Sequence, residues 1–104
     1  ELIKKSQVLG LYYKGRIIGT VTLVEVRKLS GLKGSIEHLI IDEKYQGRGL
    51  GTKLMAFVID LAKKLKIDSL FLTCEPEREI ANKLYQKLGF KIKKTNFYYL
   101  NINE

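Results

Sequence analysis

The feature that most constrains this chain is a run of six residues, Gln46-Gly47-Arg48-Gly49-Leu50-Gly51, in which every second position is glycine. It separates two stretches of different periodicity. Before it, Ser35 to Ile41 reads as a strand ending in the apolar triplet Leu39-Ile40-Ile41. After it, apolar residues at Leu50, Leu54, Phe57, Val58, Leu61, Ala62 and Leu65 follow the intervals of an amphipathic helix, with Lys53, Asp60, Lys63, Lys64 and Lys66 turned largely to water. The first turn of a helix leaves backbone N–H groups unpaired and carries partial positive charge. Glycine lets an anion approach that backbone closely. Lys44, Arg48 and Lys53 add positive charge nearby. Taken alone, the glycines fit a flexible turn; the strand before them and the helix after them make a candidate phosphate site.

The spacing excludes two other phosphate loops. A P-loop ends in Gly-Lys-Ser/Thr, whereas Gly51-Thr52-Lys53 reverses the last two residues and lacks the earlier glycine. A dinucleotide fingerprint, Gly-x-Gly-x-x-Gly, opens a βαβ unit near the first strand. Here the pattern is Gly-x-Gly-x-Gly after three strands.

The 104 residues read as a single domain, 1–104, with a truncated N-terminus left open as an alternative. Val8–Tyr13 and Arg16–Val26 form a β-hairpin across Lys14-Gly15. Ser30-Gly31-Leu32-Lys33-Gly34 reads as a loop by its glycines. Ser69–Thr73 is a short buried-type strand. Pro76 suits the first turn of a second helix, which carries Ile80, Ala81, Leu84, Tyr85 and Leu88 on one face and stops at Gly89. Phe90–Lys93 and Phe97–Ile102 make a closing hairpin across Lys94-Thr95-Asn96. The order β-β-β-α-β-α-β-β predicts an α/β fold with a mixed, mostly antiparallel sheet. The crossover through Leu50–Leu65 supplies its one parallel strand pair.

A formal charge of +8 favours polyanionic partners such as nucleic acid, an acidic surface or a phosphorylated cofactor. Cys74 is the single cysteine, which precludes an intramolecular disulfide and fits a reducing cytoplasm. No apolar run approaches the roughly 20 residues of a membrane span, and no signal-peptide pattern opens the chain. Lys63-Lys64-x-Lys66, Lys91-x-Lys93-Lys94 and Phe97-Tyr98-Tyr99 raise single-stranded nucleic acid as a ligand. The lysines fit helix and hairpin surfaces and the aromatics fit strand alternation, so a nucleic-acid partner is not the expectation.

Two motifs in the right order resemble those of one family. Gln46-x-x-Gly49-x-Gly51 resembles the Gln/Arg-x-x-Gly-x-Gly/Ala motif of the GNAT superfamily of acyl-CoA-dependent N-acetyltransferases. Leu84-Tyr85-Gln86-Lys87-Leu88-Gly89-Phe90 resembles its second signature, a helix ending in Leu-Tyr-x-Lys-x-Gly-Phe. The likeness runs from Ile36 to Tyr99. Pro76-Glu77-Arg78-Glu79-Ile80-Ala81-Asn82, followed by Thr95-Asn96, is similar to a group of small bacterial members. The third strand and glycine loop are also similar to those of glucosamine-6-phosphate N-acetyltransferases.

The resemblance implies acetyl-CoA as co-substrate, no metal, and a small-molecule or peptide amine as acceptor. Beside Gln46, the amides of Gly47, Arg48, Gly49, Leu50, Gly51 and Thr52 would hold the pyrophosphate. Leu39, Ile40 and Ile41 would pair with the pantetheine amides, and one backbone N–H there would polarise the acetyl carbonyl. Tyr85 would protonate the departing thiolate. Arg78 stands where many members place an asparagine, and its cation would reach a cofactor phosphate instead. The likeness begins near the superfamily's second strand. The strand and two helices that precede it, which help wall the acceptor site, are therefore expected to be absent here. A homodimer would supply that wall.

A general base is also needed, because only a neutral amine attacks a thioester. Glu37 is the candidate, on the reading that it alternates onto the face of Leu39 and Ile41; His38 and Glu75 are the other nearby groups. Cys74 reads as a small packed side chain. The competing reading for the whole chain is a CoA-binding sensor or interaction module without catalysis.

Overall fold

A computed structural model describes residues 3–103. The strands β1 (Ile3–Tyr13), β2 (Arg16–Lys28) and β3 (Gly31–Ile41) precede the helix α1 (Leu50–Lys64), which is followed by β4 (Ser69–Phe71) and the helix α2 (Glu79–Lys87). The strands form one sheet in the order β1-β2-β3-β4. Pairing is antiparallel for β1 with β2 and for β2 with β3, and parallel for β3 with β4. The mixed sheet with one parallel pair is the expected α/β architecture. No helix among the described residues is long and apolar enough to cross a membrane.

The core lies where α1 crosses β2 and β3. Val21 and Leu23 of β2, Ile36 of β3, and Leu54, Met55 and Val58 of α1 form one buried cluster that Tyr85 of α2 completes. Leu54, Met55, Val58 and Ala62 are the buried stripe of α1. Phe57, read as part of that stripe, is 61% exposed, so the face is narrower than the apolar intervals imply. Ile80 is likewise exposed at the start of α2.

Three other expectations change. First, β3 begins at Gly31, and the glycines read as a loop belong to the strand. Their reason is packing: a Cβ at Gly34 would lie 2.7 Å from Leu70 Cδ2 and 3.2 Å from Leu23 Cδ1. Glycine here lets β4 and the core close on the β3 backbone. Second, Pro76 lies in a turn before α2 instead of its first helical turn. The Arg78 N–H donates to Glu75 O, and the Asn82 side chain donates to both Glu75 O (2.9 Å) and Arg78 O (2.8 Å), fixing that turn to the helix.

Third, Phe90–Lys93 and Phe97–Ile102 form no hairpin; residues 90–101 contain no strand. Residues 91–100 are all exposed, and Phe97, Tyr98 and Tyr99 are 78%, 87% and 78% exposed. A two-stranded hairpin is marginal without a sheet to extend, and β4 offers it only three residues of edge.

The close approach at Gly34 generates a test. Gly34→Ala forces a methyl group against Leu70 and Leu23 and should cost about 1–3 kcal/mol of stability, measured by denaturant titration. No loss would mean that β4 does not seat on β3 as described.

Candidate active site

The site begins where β3 loses its neighbours. β3 pairs with β4 only through Lys33–Ser35 against Ser69–Phe71. From Ile36 onward, the edge of β3 on that side faces no strand among the described residues. On the other side, Thr22 pairs with Glu37 and Thr20 with Ile40, so Val21 alone opposes His38 and Leu39. That is a β-bulge, and His38 takes a left-handed φ of 54° within it. Histidine is among the residues that adopt this conformation more readily than most.

The bulge breaks the alternation on which the placement of Glu37 rests. Ile36, Leu39 and Ile41 all pack toward the core, so Glu37 is not carried on the face of Leu39 and Ile41. It is exposed, and with the neighbouring His38 it lines a cavity of about 270 Å³ opened by the parting of β3 from β4. Leu72 and Thr73, continuing from β4, form another wall, and Arg78 and Tyr85 also border it. The bulge thus brings His38 into the cavity beside Glu37, which simple alternation does not reveal.

The glycine loop lies at the far end of β3. Asp42 accepts a hydrogen bond from the Lys44 N–H, starting a 3-10 turn at Glu43–Tyr45. The Gln46 side chain donates to Ile41 O at 3.0 Å, tying the loop back to the strand. Gly47 and Gly49 have φ of 78° and 76° with open space where a Cβ would stand, so they are needed for their backbone conformation. Gly49 is the N-cap of α1 and makes no side-chain cap. The first helical bond joins the Lys53 N–H to Gly49 O at 3.1 Å. The N–H groups of Leu50, Gly51 and Thr52 therefore lie at an uncapped helix start, the arrangement that accepts an anion.

This loop forms one wall of a cleft of about 730 Å³, with Leu39 and Ile41 at its base and residues 77–81, Leu84 and Tyr85 on its other wall. Ile40 is 60% exposed and does not line it. The Arg48 guanidinium lies over the Tyr45 ring, 5.2 Å from its centroid.

Tyr85 is held on α2 by the end of that helix. The Phe90 N–H donates to Tyr85 O and the Gly89 N–H to Gln86 O, the paired bonds of a Schellman cap. The Phe90 ring meets the Tyr85 ring edge-on at 6.1 Å. Tyr85 is 9% exposed. Burial pushes its hydroxyl above the ordinary tyrosine value, Cys74 acts in the same direction, and Arg78 opposes both. The hydroxyl is consequently protonated at neutral pH and can act as a donor. Leu39, Arg78 and Tyr85 alone border both the cleft and the cavity.

Residues 2–90 match the model of the Acetyltransferase (GNAT) family. The chain is 35% identical over 88 residues to N-alpha-acetyltransferase 30 of Schizosaccharomyces pombe, covering 83% of this chain and 59% of that protein. It is 33% identical over 87 residues to a spermine/spermidine N(1)-acetyltransferase of Bacillus subtilis, covering 79% and 57%. The chain thus spans less than two thirds of the length of these relatives. Its fold superposes with a TM-score of 0.79 on glucosamine-6-phosphate N-acetyltransferase from Arabidopsis thaliana, at 23% identity over 91% of this chain and 66% of that one. With both motifs, the mixed sheet and the family match in agreement, this chain belongs to the GNAT acetyltransferase family.

Proposed function

We propose that this chain transfers an acetyl group from acetyl-CoA directly to a primary amine. The observation that carries this reading is the border that the glycine-loop cleft and the cavity between the parted strands share, formed by Leu39, Arg78 and Tyr85. Two substrates entering from opposite sides would meet there.

On this reading, the loop amides from Gly47 to Thr52 hold the pyrophosphate. The open edge of β3 from Leu39 to Ile41 pairs with the pantetheine amides, and an N–H of that edge polarises the acetyl carbonyl. Glu37 takes a proton from the acceptor ammonium, leaving a neutral nitrogen to attack the carbonyl carbon. The C–N bond forms, the C–S bond breaks, and Tyr85 gives its proton to the departing sulfur. The proton lost by nitrogen as the amide forms balances the one that Tyr85 gives up.

On this reading, Arg78 acts at the sulfur and not at a cofactor phosphate. It borders both the cleft and the cavity, as Tyr85 does, and with the thioester sulfur at that border its charge favours the departing thiolate. The acceptors named for the relatives, among them spermine/spermidine and glucosamine 6-phosphate, define a starting panel of spermidine, glucosamine 6-phosphate and a peptide with a free α-amine.

Tyr85→Phe removes the proton donor and should lower kcat about 100-fold or more while leaving CoA affinity unchanged. In the wild type, the alkaline fall in turnover should come at a higher pH than an ordinary tyrosine would impose, because burial raises the hydroxyl. Unchanged kcat in the variant would remove Tyr85 from the mechanism.

Glu37→Gln should depress kcat/KM most at low pH, where the acceptor is mostly protonated, and least where the free amine dominates. A uniform loss at every pH would argue against a base at this position.

The role of Arg78 is readable without an acceptor. The thiol of bound CoA should be alkylated by iodoacetamide at lower pH than that of free CoA, followed by mass spectrometry so that Cys74 is read separately. Arg78→Gln should shift the bound-thiol profile toward that of free CoA. A large loss of CoA affinity with no such shift would place Arg78 on a phosphate.

A further inference from the structure

Beyond its border with the cleft, the cavity between β3 and the segment after β4 has three polar side chains, those of Glu37, His38 and Thr73. All three residues are exposed. Among the described residues, none of the three is engaged by a side-chain hydrogen bond or a salt bridge. Their hydrogen-bonding capacity is therefore open to a ligand.

That capacity is unevenly divided. An ionised carboxylate only accepts hydrogen bonds and a guanidinium only donates them, whereas an imidazole and a hydroxyl each have an N–H or O–H to give. Glu37 is the one carboxylate lining the cavity; against it stand donors at His38, Thr73 and Arg78. An amine held by Glu37 thus leaves donors on both walls to be satisfied, His38 on β3 and Thr73 after β4. A polyamine would satisfy none of them: its second ammonium would find no second carboxylate in the lining and would meet the like charge of Arg78. A volume of about 270 Å³, below the roughly 300–1,000 Å³ of sites for drug-sized ligands, suits a short molecule.

The backbone singles out His38 among these donors. Its φ of 54° is left-handed, a conformation that glycine adopts without the steric penalty of a Cβ. The imidazole is exposed and belongs to no packed cluster, so the core gains nothing from it. The bulge that imposes this φ is also what brings the ring to the cavity, and a strained residue at such a place points to a role for its side chain.

We propose that the acceptor is a small amine carrying its own anionic group, a carboxylate or a phosphate, a few bonds from the nitrogen. Glu37 holds the ammonium, and His38 with Thr73 donates to the anion. His38 is then a specificity-determining residue that exchanges no proton in the transfer. This deepens the acetyl-transfer reading and rests on it.

The test compares three-carbon amines that differ only at the far end: β-alanine and 3-aminopropylphosphonate, the neutral 3-amino-1-propanol, and 1,3-diaminopropane. Acetylation is followed on the full chain with acetyl-CoA. At least one anionic amine should exceed the alcohol in kcat/KM by about tenfold, the scale of a hydrogen bond to a charged group, and the diamine should fall below the alcohol. Which anionic amine leads tells carboxylate from phosphate. His38→Gly, which suits the local φ, should bring the anion-to-alcohol ratio close to one. His38→Asn, which also tolerates that φ and restores an N–H donor, should recover part of it. A purely structural role for His38 would lower both amines alike and leave the ratio unaltered, which would overturn the assignment. Equal kcat/KM for the anionic amines and the alcohol in the wild type would overturn the acceptor class while leaving acetyl transfer intact, as would turnover of spermidine or an α-amine peptide with none of these four. Turnover of no amine at all would remove the transfer reading and this acceptor together.

Discussion

β3 keeps both of its neighbours only as far as Ser35; beyond that point it bulges against β2 and parts from β4. Main-chain N–H and C=O groups left without partners must be satisfied by water or by a ligand. An unpaired strand edge therefore suits a ligand that carries its own amides in an extended chain. The same parting opens the cavity beside Tyr85. Were β4 to continue along β3 past Phe71, the backbone would satisfy itself and the cavity would close. The glycine loop lies at the far end of the same strand, where the Gln46 side chain anchors it to Ile41 O.

Burial and charge then divide the site by function. Tyr85 belongs to the hydrophobic core as much as to the cleft. Desolvation holds its hydroxyl neutral, which is the condition for a proton donor. Arg78 opposes that effect without reversing it. The border shared by cleft and cavity therefore combines a proton on Tyr85 with a positive charge suited to an anion leaving beside it. Away from this border, the cleft is lined by Glu77 and Glu79 at the start of α2 and by Tyr45, Gln46 and the glycines at the loop. A net charge of +8 by itself identifies none of this; the placement of individual charges does.

Much of the frame was legible because it is written in local periods. The helix at Leu50–Lys64, the hairpin across Lys14-Gly15 and the cap at Gly89 each follow from patterns a few residues long. The loop follows from its flanking strand and helix, whereas Tyr85 is singled out by the resemblance of its motif. What escaped depends on partners distant in sequence. Gly34 looks like a loop residue until Leu70 and Leu23 are placed against it. The bulge at His38 has no compositional mark, yet one extra residue reverses the face on which Glu37 falls. Phe97 to Ile102 has the residues of a strand, but a strand requires a neighbouring edge, and β4 is too short to offer one. The edge-on contact of Tyr13 with Tyr45 joins two turns that no sequence spacing relates.

The central claim is that two substrates meet at Leu39, Arg78 and Tyr85 and exchange an acetyl group there. It is tested most directly by incubating the chain with acetyl-labelled acetyl-CoA and the three-amine panel, then measuring released thiol and labelled amide together. The account predicts N-acetylated product from at least one amine, formed one-for-one with free CoA. Tight CoA binding with no acetyl amide from any amine, or thiol release matched only by free acetate, would contradict it.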